Sequence, residues 1–374
     1  MSLRFPAFVT TLFIGIIFIT QDPLLLGQEG HQNEQHDQAG EDHGKAADGK
    51  QFDPAVFIMD HIADSHEWHI ITRSNGEHVS IYLPVILYSK KSGLHIFSSK
   101  RIAHSHSYQG FQMGHGMLGE KSLEGKIVEL DEHGEMTEAS LPLDISITKN
   151  VLMMLLSVAI LLWVFLSLAK SYKRTGISEP RGLQGFLEPV IVFIEEDVAI
   201  PNIGEHQYQR YMPYLLTIFF FILLNNLMGL IPFFPFGANV TGNIAVTGVL
   251  AICTFLITQF SGNRGYWQHI FNTPGVPVWL APIMIPVEII GMFTKPFALM
   301  IRLFANITAG HIIVLSLISM IFIFKSMFMS LPSMVMVLFM DCIELLVAFL
   351  QAYIFTLLSA LFIGLAMPEH HHES

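Results

Sequence analysis

The stretch "GMFTKPFALMIRLFANITAGHIIVLSLISMIFIF", Gly291 to Phe324, decides how the chain is organised. It is an apolar run longer than the roughly 20 residues a membrane-crossing helix needs, yet it carries Arg302 near its middle. A guanidinium stays charged at every physiological pH, because its pKa exceeds about 12. At the centre of a bilayer that charge costs at least about 2.5 to 3.5 kcal/mol. No acidic residue lies one helical turn from Arg302 to offset the cost. A partner for it is therefore expected outside this chain.

Composition agrees with a membrane setting. Of 374 residues, 52% are hydrophobic and only 14% charged, and the mean hydropathy of +0.50 is too high for an ordinary soluble protein. The formal net charge of -11 speaks against nucleic acid as a partner, which would need clustered Lys and Arg. Cys253 and Cys342 both lie in apolar segments and read as small buried hydrophobes, with no disulfide framework.

Outward from the quoted stretch, the apolar runs predict an all-α polytopic membrane protein of about five spans. "VLMMLLSVAILLWVFLSLA" (Val151 to Ala169) is the first, and "KSYKRTG" after it marks the cytoplasmic side by the positive-inside rule. "GLQGFLEPVIVFIEEDVAI" mixes apolar positions with Glu188, Glu195, Glu196 and Asp197, the pattern of a helix lying at the interface. Tyr211 to Phe233 crosses outward, Asn243 to Gly262 returns, and "NRGYWQH" with Arg264 suits the cytoplasm. Two long stretches, about Ala281 to Phe324 and Pro332 to Ala366, are joined by "KSMFMSLPS" as an outer turn, leaving "PEHHHES" inside. Both exceed one perpendicular crossing at 1.5 Å per residue, so they must tilt or lie partly in the membrane plane.

The N-terminal part differs. Residues 1–27 hold one basic residue, Arg4, and then an apolar core shorter than a span, which reads as a cleaved signal peptide with a retained anchor as the alternative. Residues 28–51, acidic and His-rich, have almost no large apolar side chains and are expected to be disordered. From Phe52 short alternating runs predict a small β-rich exported domain over 52–146, with Asn75-Gly76 marking a hairpin. Two-thirds of the 18 histidines fall in this exported region. His104 and His106 would share a strand face, but no cysteine and no close ligand set accompanies them, so solvated or buffering histidines are preferred over a metal site.

The polar inventory of the last two stretches is more specific. Arg302 and Asn306 are four apart and share a helix face, to which Glu288, fourteen residues earlier, nearly returns. His311, nine residues after Arg302, points the other way and lies nearer the outer turn. On the final helix Glu344 and Gln351 are seven apart, again on one face. Chain reversal puts Glu344 near the depth of His311, and Gln351 near that of Arg302. Imidazole titrates near neutrality and can pass protons, whereas Arg302 can only divide a path or attract a carboxylate. For Asn225, Asn226 and Asp341, hydrogen bonding between helices is the preferred reading.

"KPFALMIRLFANITAGHII" and "ELLVAFLQAYIFTLLSALFIGLAMPEH" resemble the last two helices of subunit a of the rotary F-type ATP synthase, and "NNLMGLIPF" and "TGNIAVT" resemble helices before them. The resemblance covers about residues 147–370 and leaves the exported region out. It implies that Arg302 is the essential stator arginine, facing a ring of c subunits and their membrane carboxylate. Asn306 and Gln351 match positions beside that arginine, His311 and Glu344 a coupled pair in the outer half-channel, and Glu288 an acidic position of the inner half-channel. Gly229 departs from relatives with an acidic residue in that stretch, so no relay carboxylate is assigned there.

The resemblance further implies b subunits of a peripheral stalk and the remaining synthase subunits as partners, in the inner membrane of a bacterium, with no cofactor and no metal. The chain has no G-x-x-x-x-G-K-[ST] loop, so ATP chemistry belongs to other subunits. Two rival readings differ in what they require. A secondary transporter would bind solute at the midplane between repeated halves, and no internal repeat is visible. A metal-handling receptor would rest on the exported histidines alone and leave Arg302 dispensable.

Overall fold

The computed structural model describes residues 62–72, 78–90, 92–103, 106–114, 117–118, 121–122, 125–130, 141–175, 182–231, 236–271, 278–324 and 327–367, with Pro54 and Ile58. The expected signal peptide and disordered segment, Asn75-Gly76, His104 and the C-terminal "EHHHES" lie outside them. The chain forms two compact units: Asn150–Ala309 and Cys342–Ser374 belong to one, Gln21–Lys149 and Gly310–Asp341 to the other.

The N-terminal part is β-rich, as its alternating pattern predicts. Strand β1 (Glu67–Thr72) pairs antiparallel with β2 (His78–Tyr82), so the two flank Asn75-Gly76. Strand β3 (Pro84–Ser89) is central between β4 (Gly93–Ser98) and β9 (Leu143–Asp144). Strand β5 (Phe111–Met113) pairs with β8 (Ile127–Glu129), and β6 (Met117–Leu118) with β7 (Lys121–Ser122). Because side chains alternate along a strand, Val85, Leu87 and Phe97 turn inward and pack with Ile102, Phe111 and Ile127 as a small core. His106 is exposed and lies outside every strand, because the chain leaves β4 into a short 3-10 turn at Ser99–Arg101. The shared strand face expected for His104 and His106 is therefore not formed at His106.

Helix α1 starts at Lys149 and its first residue is fastened to this domain. Its N–H donates to the Ser65 carbonyl at 2.9 Å, and its ammonium to the Ala63 carbonyl at 3.2 Å. Nearby, His66 Nε2 lies 2.9 Å from Asp144 Oδ2. Burial pushes the Asp144 carboxyl up, but the hydrogen bond and charge of His66, with hydrogen bonds from Ser146, outweigh it and hold it below its ordinary range. A depressed carboxylate stabilises the fold above its unfolded pKa of about 3.9 and loses that contribution as pH falls through the lower folded value. His66→Ala is expected to cost about 1–3 kcal/mol at neutral pH and to move acid unfolding of the domain to higher pH. Fluorescence of the buried Trp68, in full-length protein with the other tryptophans replaced, checks this; an unmoved midpoint would show that the pair contributes nothing.

The remaining chain is helical: α1 (Lys149–Thr175), α2 (Leu183–Phe193), α3 (Ile200–Ile203), α4 (Tyr208–Leu230), α5 (Ile244–Ser261), α6 (Arg264–Phe271), α7 (Ala281–Phe324) and α8 (Met327–Ala366). Five of these, α1, α4, α5, α7 and α8, are long and apolar enough to cross a membrane. Between α2 and α3 the chain passes through a π-turn, Ile194–Ala199, which buries Ile194, Val198 and Ala199 and exposes Glu196 and Asp197. That two-sidedness is what an interfacial helix requires. Helix α8 begins at Met327 with Pro332 inside it, so the expected nine-residue turn is shorter than the sequence suggested.

Packing is uneven, and the unevenness matters. In α4, 72% of the span window is buried inside the protein, against 11% in α7 and 17% in α8. Helix α4 is thus a central post, whereas α7 and α8 leave most of their surface for lipid or another chain. Asn226 donates to the Ala348 carbonyl and accepts from Thr241, and Asn225 donates to the Phe221 carbonyl. Asn226 thus acts as glue between helices, as expected, whereas Asn225 bonds back within its own helix. Tyr214, Thr254 and Ser359 join α4, α5 and α8 through a further chain of hydroxyls. Gly364 lets α8 approach α3 closely, since a Cβ there would sit 1.8 Å from the Asn202 carbonyl oxygen. Asp341 is exposed and has no hydrogen-bond partner among the described residues, contrary to the glue reading.

Candidate functional site

Arg302 lies on α7 with Leu303 and Ile307 buried beside it at 0% and 4% exposure, so the helix has an inner face set by leucine and isoleucine. Arg302 itself is exposed, and among the described residues it has neither an ion pair nor a hydrogen bond. Ala298, Ala305 and Ala309 are exposed at spacings of four, three and four around it. At helical periodicity they form a flat strip along one face, where another helix could approach the guanidinium without steric obstruction.

One turn further on, Asn306 donates from Nδ2 to Gln351 Oε1 at 2.8 Å. Gln351 is buried at 2% exposure, and Ala348 and Ala352 beside it are fully buried, which lets α8 come close. The hydrogen bond holds α7 and α8 together next to Arg302. Gln351 thus lies against Asn306, one helical turn from Arg302 along α7.

The remaining candidates are spread along the same helices. Glu288 is half-buried on α7, about 21 Å before Arg302 at 1.5 Å per residue. His311 is half-buried on α7, and Glu344 is buried on α8, about 10 Å before Gln351. His311 belongs to one compact unit and Glu344 to the other. Among the described residues no group of three or more His, Cys, Asp or Glu is gathered as a metal site.

Two charged positions carry more than the sequence reading gave them. Asp341 is an exposed carboxylate on an apolar helix, one turn before Glu344. Lys295 is an exposed cation on α7, seven residues before Arg302 and so on nearly the same face. Its signal was available, because a lone lysine inside an apolar run is as conspicuous as the arginine.

Comparison with known proteins places the chain in a family. The model of the ATP synthase A chain family matches residues 151–364, and that of a domain of unknown function, DUF8433, matches residues 57–145. ATP synthase subunit a of Chloroherpeton thalassium is 51% identical over 235 residues, covering 61% of this chain and 69% of that protein. ATP synthase subunit a 2 of Prosthecochloris aestuarii is 46% identical over 284 residues, covering 72% and 85%. Subunit a of Myxococcus xanthus is 45% identical over 252 residues, covering 65% and 81%. With its five apolar helices and this match over more than half its length, the chain is a multi-pass membrane protein of the ATP synthase A chain family.

Proposed function

We propose that this chain is the stator of a proton-driven rotary ATP synthase, supplying two half-channels that load and unload carboxylates on a ring of c subunits. The observation that carries the reading is Arg302, an exposed cation on an apolar helix face with no partner among the described residues. A membrane carboxylate on a neighbouring ring would supply the missing charge.

In this reading a proton enters from outside by way of His311 and Glu344 and neutralises a ring carboxylate. The neutral site can then move into lipid, where an ionised one would be expensive. After nearly a full turn the carboxylate loses its proton into the inner half-channel, to which Glu288 is assigned. Arg302 attracts the ionised site and separates the two paths, while Asn306 and Gln351 fix the helices beside it. Each proton contributes about 2.3 kcal/mol per 100 mV of membrane potential, so several are needed per ATP.

The domain organisation completes the proposal: a signal peptide over 1–27, a linker over 28–51, a periplasmic β-rich domain over 52–146 and the membrane domain over 147–370. The chain sits in a bacterial inner membrane with its C-terminus in the cytoplasm, against b subunits of a peripheral stalk and the other synthase subunits. Cysteine cross-linking tests the ring contact. Ala305→Cys is expected to form a disulfide with a cysteine placed one turn from the ring carboxylate, whereas Ile307→Cys, on the buried face, is expected to form none. The reverse order would turn the proposed face away from the ring.

A further inference from the structure

Helices α5, α6, α7 and α8 meet at one end of the bundle. Helices α5 and α8 both end there, at Ser261 and Ala366, and the Asn263 N–H donates to the Ala366 carbonyl at 3.1 Å. Trp267 and Trp279 are exposed close by in the chain, and such aromatic side chains settle at the level of lipid headgroups. A groove opens between these helices, lined by Phe255, Gln259, Tyr266, Met292, Lys295 and Phe362, among others. Its walls are mainly apolar. Lys295 is exposed at it, with its ammonium 5.7 Å from the centre of the Phe362 ring and no ion pair among the described residues. Gln259 donates weakly to the Tyr266 hydroxyl at 3.4 Å, but its Oε1 is buried with no hydrogen-bond partner among the described residues.

From this we infer that the groove is a binding site for an anionic phospholipid, whose phosphate would pair with Lys295 while an acyl chain lies along the apolar wall. Size selects the ligand class. The groove has a volume of only about 20 Å³, room for one water or one headgroup hydroxyl, whereas small-molecule pockets run to roughly 300 Å³ or more. A ligand held mainly by the surrounding bilayer fits so shallow a site. Exposed Arg264 on α6 adds a second positive charge at the same end. Basic pockets between membrane helices recognise anionic headgroups in this way, and a cation over an aromatic ring keeps its charge available to them. Lys295 lies midway between Glu288 and Arg302 on nearly the same face, but lipid labelling reads binding and not proton flow, so its outcome is separate from that of the half-channel reading.

The test places the assembled complex in phosphatidylcholine nanodiscs containing a small share of photoactivatable phosphatidylglycerol, and maps the labelled peptides. Labelling is expected on residues 255–266 and 292–296, in excess over a photoactivatable phosphatidylcholine. Lys295→Gln should lower it at least about fivefold, as the loss of one lysine charge near a lipid surface predicts, and Lys295→Arg should keep most of it. Excess inorganic phosphate should change nothing. Equal labelling by the two lipids, or full labelling of Lys295→Gln, would overturn the site; displacement by phosphate would assign it to free phosphate instead and overturn the lipid. If the glutamine variant fails to assemble, competition between unlabelled phosphatidylglycerol and phosphatidylcholine on the unaltered complex decides alone.

Discussion

Arg302→Ala is expected to abolish ATP-driven proton pumping in inverted membrane vesicles while the complex still assembles. Arg302 is exposed and supports no internal contact among the described residues, so its removal leaves the packing of α7 and α8 in place. On the proposed stator reading, what is lost is the attraction between a permanent cation and an ionised ring carboxylate in a medium of low dielectric. Taking the minimum of about 2.5 to 3.5 kcal/mol for a mid-bilayer charge as the scale, coupled turnover falls about a hundredfold or more. Lysine is not expected to restore it, because a compact, strongly hydrated ammonium lacks the planar fork that matches a carboxylate. Normal pumping in Arg302→Ala would remove the stator reading and reopen that of a solute transporter.

Glu344→Gln carries the second large effect. Glu344 is buried on α8 about 10 Å from Gln351, and an amide keeps its shape without its proton chemistry. If the outer path runs through this carboxyl, loss of the relay slows proton entry by about a hundredfold, the low end of what a positioned acid or base supplies. Glu344→Asp should recover part of the rate. ATP synthesis driven by an imposed proton gradient reports this step, and an unaffected rate in the Glu344→Gln complex would exclude Glu344 from the path. Asp341, exposed one turn away, would then be the next carboxylate to replace.

Much of this organisation is written in local pattern. Length and hydropathy alone locate the five spans, because in lipid only a long, internally hydrogen-bonded helix can cross. Helical spacing places Asn306 beside Arg302, and chain reversal puts Gln351 opposite, where a 2.8 Å hydrogen bond is found. The missing parts depend on tertiary contact. The close approach at Gly364 follows from which helix lies alongside, and neither it nor the π-turn at Ile194–Ala199 can be read from spacing. Asp341 shows the same limit in reverse: composition suggested a partner between helices, and packing left it on the outside. Lys295 acquires meaning only when α5, α6 and α8 close a groove around it.

The most direct test of the divider role of Arg302 is passive proton conductance. Vesicles carrying the Arg302→Ala complex, stripped of the nucleotide-hydrolysing subunits, would be given a potassium diffusion potential and their proton uptake recorded. The account predicts that protons cross at least as fast as through the unaltered membrane sector, since both paths remain and nothing now separates them, even though the intact variant pumps none. A variant sector that conducts no protons at all would contradict it.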